Sequence, residues 1–355
     1  MLKQRMLKKW IITGLMALSV TQYAGAAKVN MPEKYSDHDW DLICDNTLTC
    51  RAAGYSAEDV SPAASVLLTR PAGPGTPVTN RVILEEENAR PLPVKPVLMI
   101  DSHTLGELQV SPRDDGAVES IWQMDTEQFS AFTDALRHHK SVVFHTREQD
   151  YPFSPLGAVA VLQKMDEIQG RNGTPSALIL RGTESESGVK AALPLPVVTR
   201  VTARENALRD MTTEEAARYR EEFLPYISGN SRCQTEEVSK QWRWRMAQLG
   251  DNHTLISADC WRSYYDAGEV MLVVRNDKSA PPEQITDSGS WYEEGEIGVV
   301  LKGSQNGDCQ STEQYVWNGS TFVLRDRNES GRCLNIRLKG PWSLPYYEAA
   351  VIEPH

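Results

Sequence analysis

Six cysteines constrain what this chain can fold into more than any other feature. They are Cys44, Cys50, Cys233, Cys260, Cys309 and Cys333. An even count behind an export leader reads as a disulfide framework, because thiols pair and stay paired outside the reducing cytosol. Six cysteines permit fifteen connectivities, and sequence alone does not choose among them. Local chain geometry favours Cys44–Cys50, Cys233–Cys260 and Cys309–Cys333. The first pair is isolated by a long stretch of sequence, and the other four are joined to their neighbours by strand–turn–strand segments, with Trp317-Asn318-Gly319 as the turn signal before Cys333. Chain entropy makes each of the two longer bridges worth roughly 3–4 kcal/mol. No Cys-x-x-Cys pair occurs, so neither a thioredoxin-like redox site nor a zinc knuckle is signalled.

Residues 1–26 have the three parts of a secretory leader. Lys3, Arg5, Lys8 and Lys9 supply the positive start, Ile11 to Val20 the short apolar run, and Ala24-Gly25-Ala26 the small-residue cleavage site. The apolar run falls well short of the roughly twenty residues that span a bilayer, so cleavage is expected and the mature chain is expected to begin at Ala27. No later segment is apolar enough for a membrane helix. The full chain carries a net charge of −11, and the leader takes four basic residues and no acid with it, leaving a more negative product. A field of that sign disfavours nucleic acid and anionic headgroups and draws basic partners inward.

Length suggests two domains after the leader. Residues 27–182 read as an N-terminal α+β domain, 183–199 as a linker and 200–355 as a disulfide-rich, β-dominated domain. In the first, Trp40–Cys44 alternates, and Ala64–Thr69 and Arg81–Glu85 are strand-like. Asp125 with Gln128 is a capping box ahead of the apolar stripe Phe129, Phe132 and Leu136. Ser154-Pro155 marks a second helix start and Gly170 its stop. Ser141–His145 and Ser176–Leu180 read as the strands before and after it. The later half opens with a capping box at Thr212 and Glu215, on a helix expected to end at Pro225. Strands follow at Gln241–Met246, Val270–Val274, Gly298–Lys302 and Tyr315–Leu324. The fold class is therefore α+β, two β-rich domains with a few packed helices, stapled by disulfides.

Chemistry is harder to find. His138-His139 suits a helix end, where it meets exposed carbonyls. Asp37-His38-Asp39 and Asp101-Ser102-His103 offer ligand types without the spacing of a zinc motif, and they read as solvated loops. There is no Gly-x-Ser-x-Gly elbow, no P-loop and no dinucleotide fingerprint. Neither a catalytic residue, a metal site nor a cofactor is indicated. One stretch has the character of a binding element: alternation puts Trp242, Trp244 and Met246 on one face and Arg243 and Arg245 on the other. Aromatic and arginine side chains are common binding anchors, and the same pattern describes a half-buried strand with core indoles and ion-paired arginines. Trp40 and Trp317 read as packing residues beside the disulfides.

These residues resemble a bacterial exported family, domain of unknown function 1176. The likeness rests on the leader, the six cysteines, Trp40-Asp41-Leu42-Ile43-Cys44, and the run Tyr315-Val316-Trp317-Asn318-Gly319-Ser320-Thr321-Phe322 before Cys333. Through Trp40–Cys44 and Pro155–Gly170 the first domain also resembles the invasion-associated locus B family. Neither resemblance brings a catalytic residue. Both imply an envelope protein, periplasmic or secreted, oxidised by the periplasmic disulfide-forming machinery. The expectation is a non-enzymatic binding protein taking a basic protein, such as a host lysozyme or other hydrolase, or a cell-wall ligand through Trp242, Arg243, Trp244 and Arg245. A hydrolase cutting cell-wall glycan or peptide with a carboxylate pair, and a stress-related structural protein without a ligand, are the rival readings.

Overall fold

Alternation along Trp40–Cys44 makes a strand, and in the computed structural model that strand pairs antiparallel with Cys50–Tyr55 so that Cys44 lies directly opposite Cys50. The structure describes residues 32–85, 95–112, 121–227, 232–233 and 242–353; the leader at 1–26 and Gln241 lie outside them. All three bridges form between neighbours in sequence: Cys44–Cys50, Cys233–Cys260 and Cys309–Cys333. The architecture is α+β, with three α-helices and several sheets among the described residues.

The first of these sheets has seven antiparallel strands, ordered 33–37, 40–44, 50–55, 64–70, 79–84, 122–123 and 109–110. It is covered on both faces. On one side Trp40, Leu42, Val66 and Leu68 pack against helix α1 (Thr126–Arg137), helix α2 (Ala158–Gln169) and the phenylalanines Phe144 and Phe153 of a four-stranded sheet. On the other side Ile43, Ala53, Leu67 and Ile83 meet Ile336, Trp342 and Leu344. Two covered faces explain why Ala64–Arg70 is buried at nearly every residue, where a half-exposed strand would alternate.

Local signals place the helices. Asp125 and Gln128 make the reciprocal capping box of α1, at 2.9 and 3.0 Å. His138 caps its end, with Nδ1 against the carbonyl of Asp134 at 2.9 Å. Helix α2 begins at Ala158 after Gly157, later than Ser154-Pro155 suggests, and stops at Gly170 with φ +72°. Ser176–Leu180 is not a strand. The amides of Leu178 and Ile179 donate to the buried Asp166 carboxylate at 2.6 and 3.1 Å, which takes them from any ladder. Asp101 and Ser102, both at positive φ, form the two-residue turn between the strands at 97–100 and 103–107.

The later half holds two five-stranded antiparallel sheets. One is ordered 209–210, 244–248, 253–262, 267–275 and 283–289, and the other 291–293, 296–302, 310–317, 322–329 and 344–348. The segment read as one strand at Tyr315–Leu324 is two, turned at Asn318-Gly319. Between the sheets lie Ala247, Leu255, Met271 and Val273 against Ile297, Trp317 and Phe322. Trp40 shares its core with Cys44 and Cys50 as expected, whereas Trp317 packs on His253 and Phe322 and not beside a bridge. Helix α3 (Thr213–Ile227) covers the outer face of the first of these two sheets through Phe223 and Ile227. It runs through Pro225 without ending there, since Ile227, fully buried, holds the last turn down.

Candidate functional site

The strand Trp244–Gln248 enters its sheet from Trp242-Arg243, and its two faces have different fates. Trp242, Trp244 and Met246 lie in the core under α3 with Cys260, Val270 and Leu272, and the two indoles sit 6.4 Å apart. On the other face the register stacks Ser257 opposite Arg245 and Glu269 opposite Asp259. That face is apolar at Leu255, Met271 and Val273 and turns polar toward one end of the sheet.

At that end lies a cleft of about 670 Å3. It collects Trp242 and Arg243 just before 244–248, the end of 253–262, the start of 267–275 and the end of 283–289, with Ser290 and Val300 as the far wall. Arg243 and Arg245 both pair with Glu269, the first at 3.2 Å, and the Ser257 hydroxyl donates to the same carboxylate. Asp259 accepts the Arg243 backbone N–H at 2.9 Å, and Asp266 accepts the Lys302 N–H at 2.7 Å. Among the described residues neither Asp259 nor Asp266 forms a salt bridge. Trp261 completes the lining. A register shift between Asp259 and Trp261 turns its indole across Gly268, with its N–H donated to the Asp287 carbonyl at 3.0 Å.

The rim is the four-residue turn Ser263–Asp266. Ser263 and Asp266 close it with bonds of 2.7 and 3.0 Å, and this rigid turn presents Tyr264, 86 % exposed, to solvent. Tyr265 and Lys302 flank a second depression of about 430 Å3 that shares Trp261 and Asp266 with the cleft. Of the four residues that alternation singles out, Trp242 and Arg243 line the cleft, Trp244 faces the core and Arg245 is bonded to Glu269 behind it. Alternation misses Asp259, Trp261, Tyr264 and Glu269. The run Trp261-Arg262-Ser263-Tyr264-Tyr265-Asp266 carried a signal, since three aromatics around a turn are more than a solvated loop needs.

Two other clusters are structural. Asp166 receives Arg70 at 3.0 Å in full burial; burial pushes its carboxyl upward and the Arg70 charge opposes this, while burial draws Arg70 down to about 10. Arg171, also fully buried, donates to Gly73, Thr76 and Ser176 and ties the 171–186 segment to the loop between strands 64–70 and 79–84. Asp308, Cys309 and Cys333 converge, but both sulfurs are spent in their bridge and a thiolate is what a metal needs. His38 and His103 stand exposed, against Asp37 at 3.0 Å and the Asp101 carbonyl at 3.0 Å.

Fold and cleft together define a disulfide-stapled α+β protein with an aromatic, carboxylate-lined cleft. The chain belongs to the family described as protein of unknown function (DUF1176), whose model matches residues 34–349. No curated protein and no solved structure matches it. Among the described residues no helix is long and apolar enough to cross a membrane.

Proposed function

We propose that this is an exported, non-enzymatic recognition protein of the bacterial envelope, periplasmic or secreted, that binds a basic protein at the cleft beside Trp242 and Trp261. The observation that carries this reading is the pairing of two carboxylates that form no salt bridge among the described residues, Asp259 and Asp266, with indoles in one depression. A lysine or arginine side chain entering there meets a carboxylate and an aromatic ring together, two attractions that strengthen as water leaves. The rigid Tyr264 on the rim adds contact area at little entropic cost, as interface tyrosines do. The net negative charge of the chain, −11 before the basic leader is removed, steers a basic partner toward the molecule.

The test is titration of the oxidised mature protein against basic hydrolases, lysozyme among them, by calorimetry and activity assay. Saturable, salt-sensitive binding that falls at least about tenfold in Asp259→Asn with Asp266→Asn supports the reading, since a lost charged contact is worth 1.4 kcal/mol or more. A panel left untouched at micromolar concentration removes it and favours a structural protein without a ligand. The hydrolase alternative rests on Asp259 standing opposite Glu269. Release of soluble fragments from cell-wall glycan, abolished in Glu269→Gln, would establish it instead.

A further inference from the structure

The opposite end of the same sheet carries a second concavity with the reverse electrostatics. A groove of about 590 Å3 runs between α3 and the segment Lys278–Pro282, over the end of 244–248, the start of 253–262 and the end of 267–275. Its floor is apolar, from Phe223, Met246 and Val274. Tyr219 stacks on Phe223 at 5.5 Å and 13°, and Tyr226, half exposed, stands on the same helix face two turns along.

Three cations line this groove, Arg218, Arg275 and Lys278, against one carboxylate, Glu222. Glu222 is paired with Lys278 at 3.0 Å, while Arg218 and Arg275 form no salt bridge among the described residues. Arg218 lies over the Tyr219 ring at 5.9 Å. In a chain with eleven more acids than bases this is a local reversal of sign. The Gln248 and Asn276 amides, joined through the Thr254 hydroxyl at 2.9 and 2.7 Å, border the floor with peptide-like donors and acceptors.

From this we infer that the groove under α3 is a second binding site, for an acidic peptide segment of another protein that carries an apolar side chain. The guanidiniums of Arg218 and Arg275 meet its carboxylates, the floor takes the apolar side chain, and the amides bond its backbone. A sugar acid fits less well. The faces of Tyr219 and Phe223 cover one another, and the Met246 and Val274 floor has nothing for hydroxyls.

The experiment is fluorescence anisotropy of the oxidised mature protein with a fluorescein-labelled octapeptide of alternating glutamate and leucine, its glutamine-for-glutamate counterpart, and oligogalacturonate as competitor. Saturable micromolar binding, weakened about tenfold or more by the glutamine peptide and by Arg275→Glu, is expected. Glu222→Gln, which removes the carboxylate paired with Lys278 in the lining, should tighten binding about threefold, a gain that misfolding would not produce. Asp259→Asn should leave it unchanged, which separates this site from the cleft. Equal affinity for the glutamine peptide, or unchanged affinity in Arg275→Glu, overturns the inference. So does oligogalacturonate displacing a weakly held peptide, or self-association that blocks the peptide and is lost in Arg275→Glu, since these place a sugar acid or a second copy in the groove.

Discussion

Arg332 forks onto Asp41, its Nε and Nη2 donating to the two carboxylate oxygens at 2.8 and 2.9 Å across 291 residues of chain. The guanidinium also lies over the Tyr55 ring at 5.3 Å, and close by the Trp342 indole donates to Ser65 at 2.7 Å. The C-terminal segment is thereby registered against the seven-stranded sheet by a planar, two-bond contact that a lysine would not reproduce. Replacing Arg332 by alanine strips partners from Asp41 and from the ring. We expect a loss of about 1–3 kcal/mol in urea denaturation. Coupling in the Asp41→Ala/Arg332→Ala cycle should exceed about 1 kcal/mol.

The bridges rank by the loops they close. Cys309 and Cys333 are 24 residues apart and Cys44 and Cys50 only 6. Chain entropy assigns about 3.5 kcal/mol to the longer loop and about 2.4 to the shorter. Cys309→Ser and Cys333→Ser should cost the same as each other and as the double variant, and more than Cys44→Ser with Cys50→Ser. Thermal melts of the four variants check this.

Helix α3 has an acid-sensitive start. Arg209 meets the Glu215 carboxylate with two bonds of 2.9 Å and the Thr212 N–H adds a third of 2.9 Å. These contacts, the Arg209 bonds first, hold the carboxyl down at about 2 against an ordinary 4.5. A depressed carboxylate contributes stability that is present above the unfolded value and lost as pH falls through the folded one. The first turn of α3 should therefore lose protection between about pH 4.5 and 2, read from amide resonances of residues 213–216. Glu215→Gln should remove that pH dependence.

Gly268 is open to a direct structural test. A Cβ there would stand 2.5 Å from the Trp261 indole and 2.8 Å from the Ser288 backbone. Gly268→Ala must push the ring off the cleft lining and break its bond to Asp287. We expect about 1–3 kcal/mol of destabilisation and a changed near-ultraviolet circular dichroism spectrum.

Tyr264→Ala separates binding from folding. The side chain is almost wholly in solvent, so the melting temperature should not move. Affinity for the basic partner should drop about tenfold or more, as for an interface anchor.

What could be read without coordinates was local. The capping boxes at Asp125–Gln128 and Thr212–Glu215 involve residues three apart, and both form. The Cys44–Cys50 hairpin and the αL stop at Gly170 are equally short-range. Local signals are overridden where a distant group takes over. Ser176–Leu180 has strand composition, yet the Asp166 carboxylate claims its amides. Pro225 breaks an isolated helix, yet the burial of Ile227 carries α3 past it.

The cleft divides in the same way. Alternation was enough to put Trp242 opposite in facing to Arg243, because period two is a property of one strand. Asp259, Glu269 and Trp261 come together through strand register and a bulge, which depend on the partner strands. By itself the sequence determined the α+β class and the disulfide build, since cysteine spacing, caps and alternation act over a few residues. Only the tertiary structure decided that one sheet carries an acidic aromatic cleft at one end and a cationic groove at the other. That arrangement comes from non-local pairing, which strand register and packing select together.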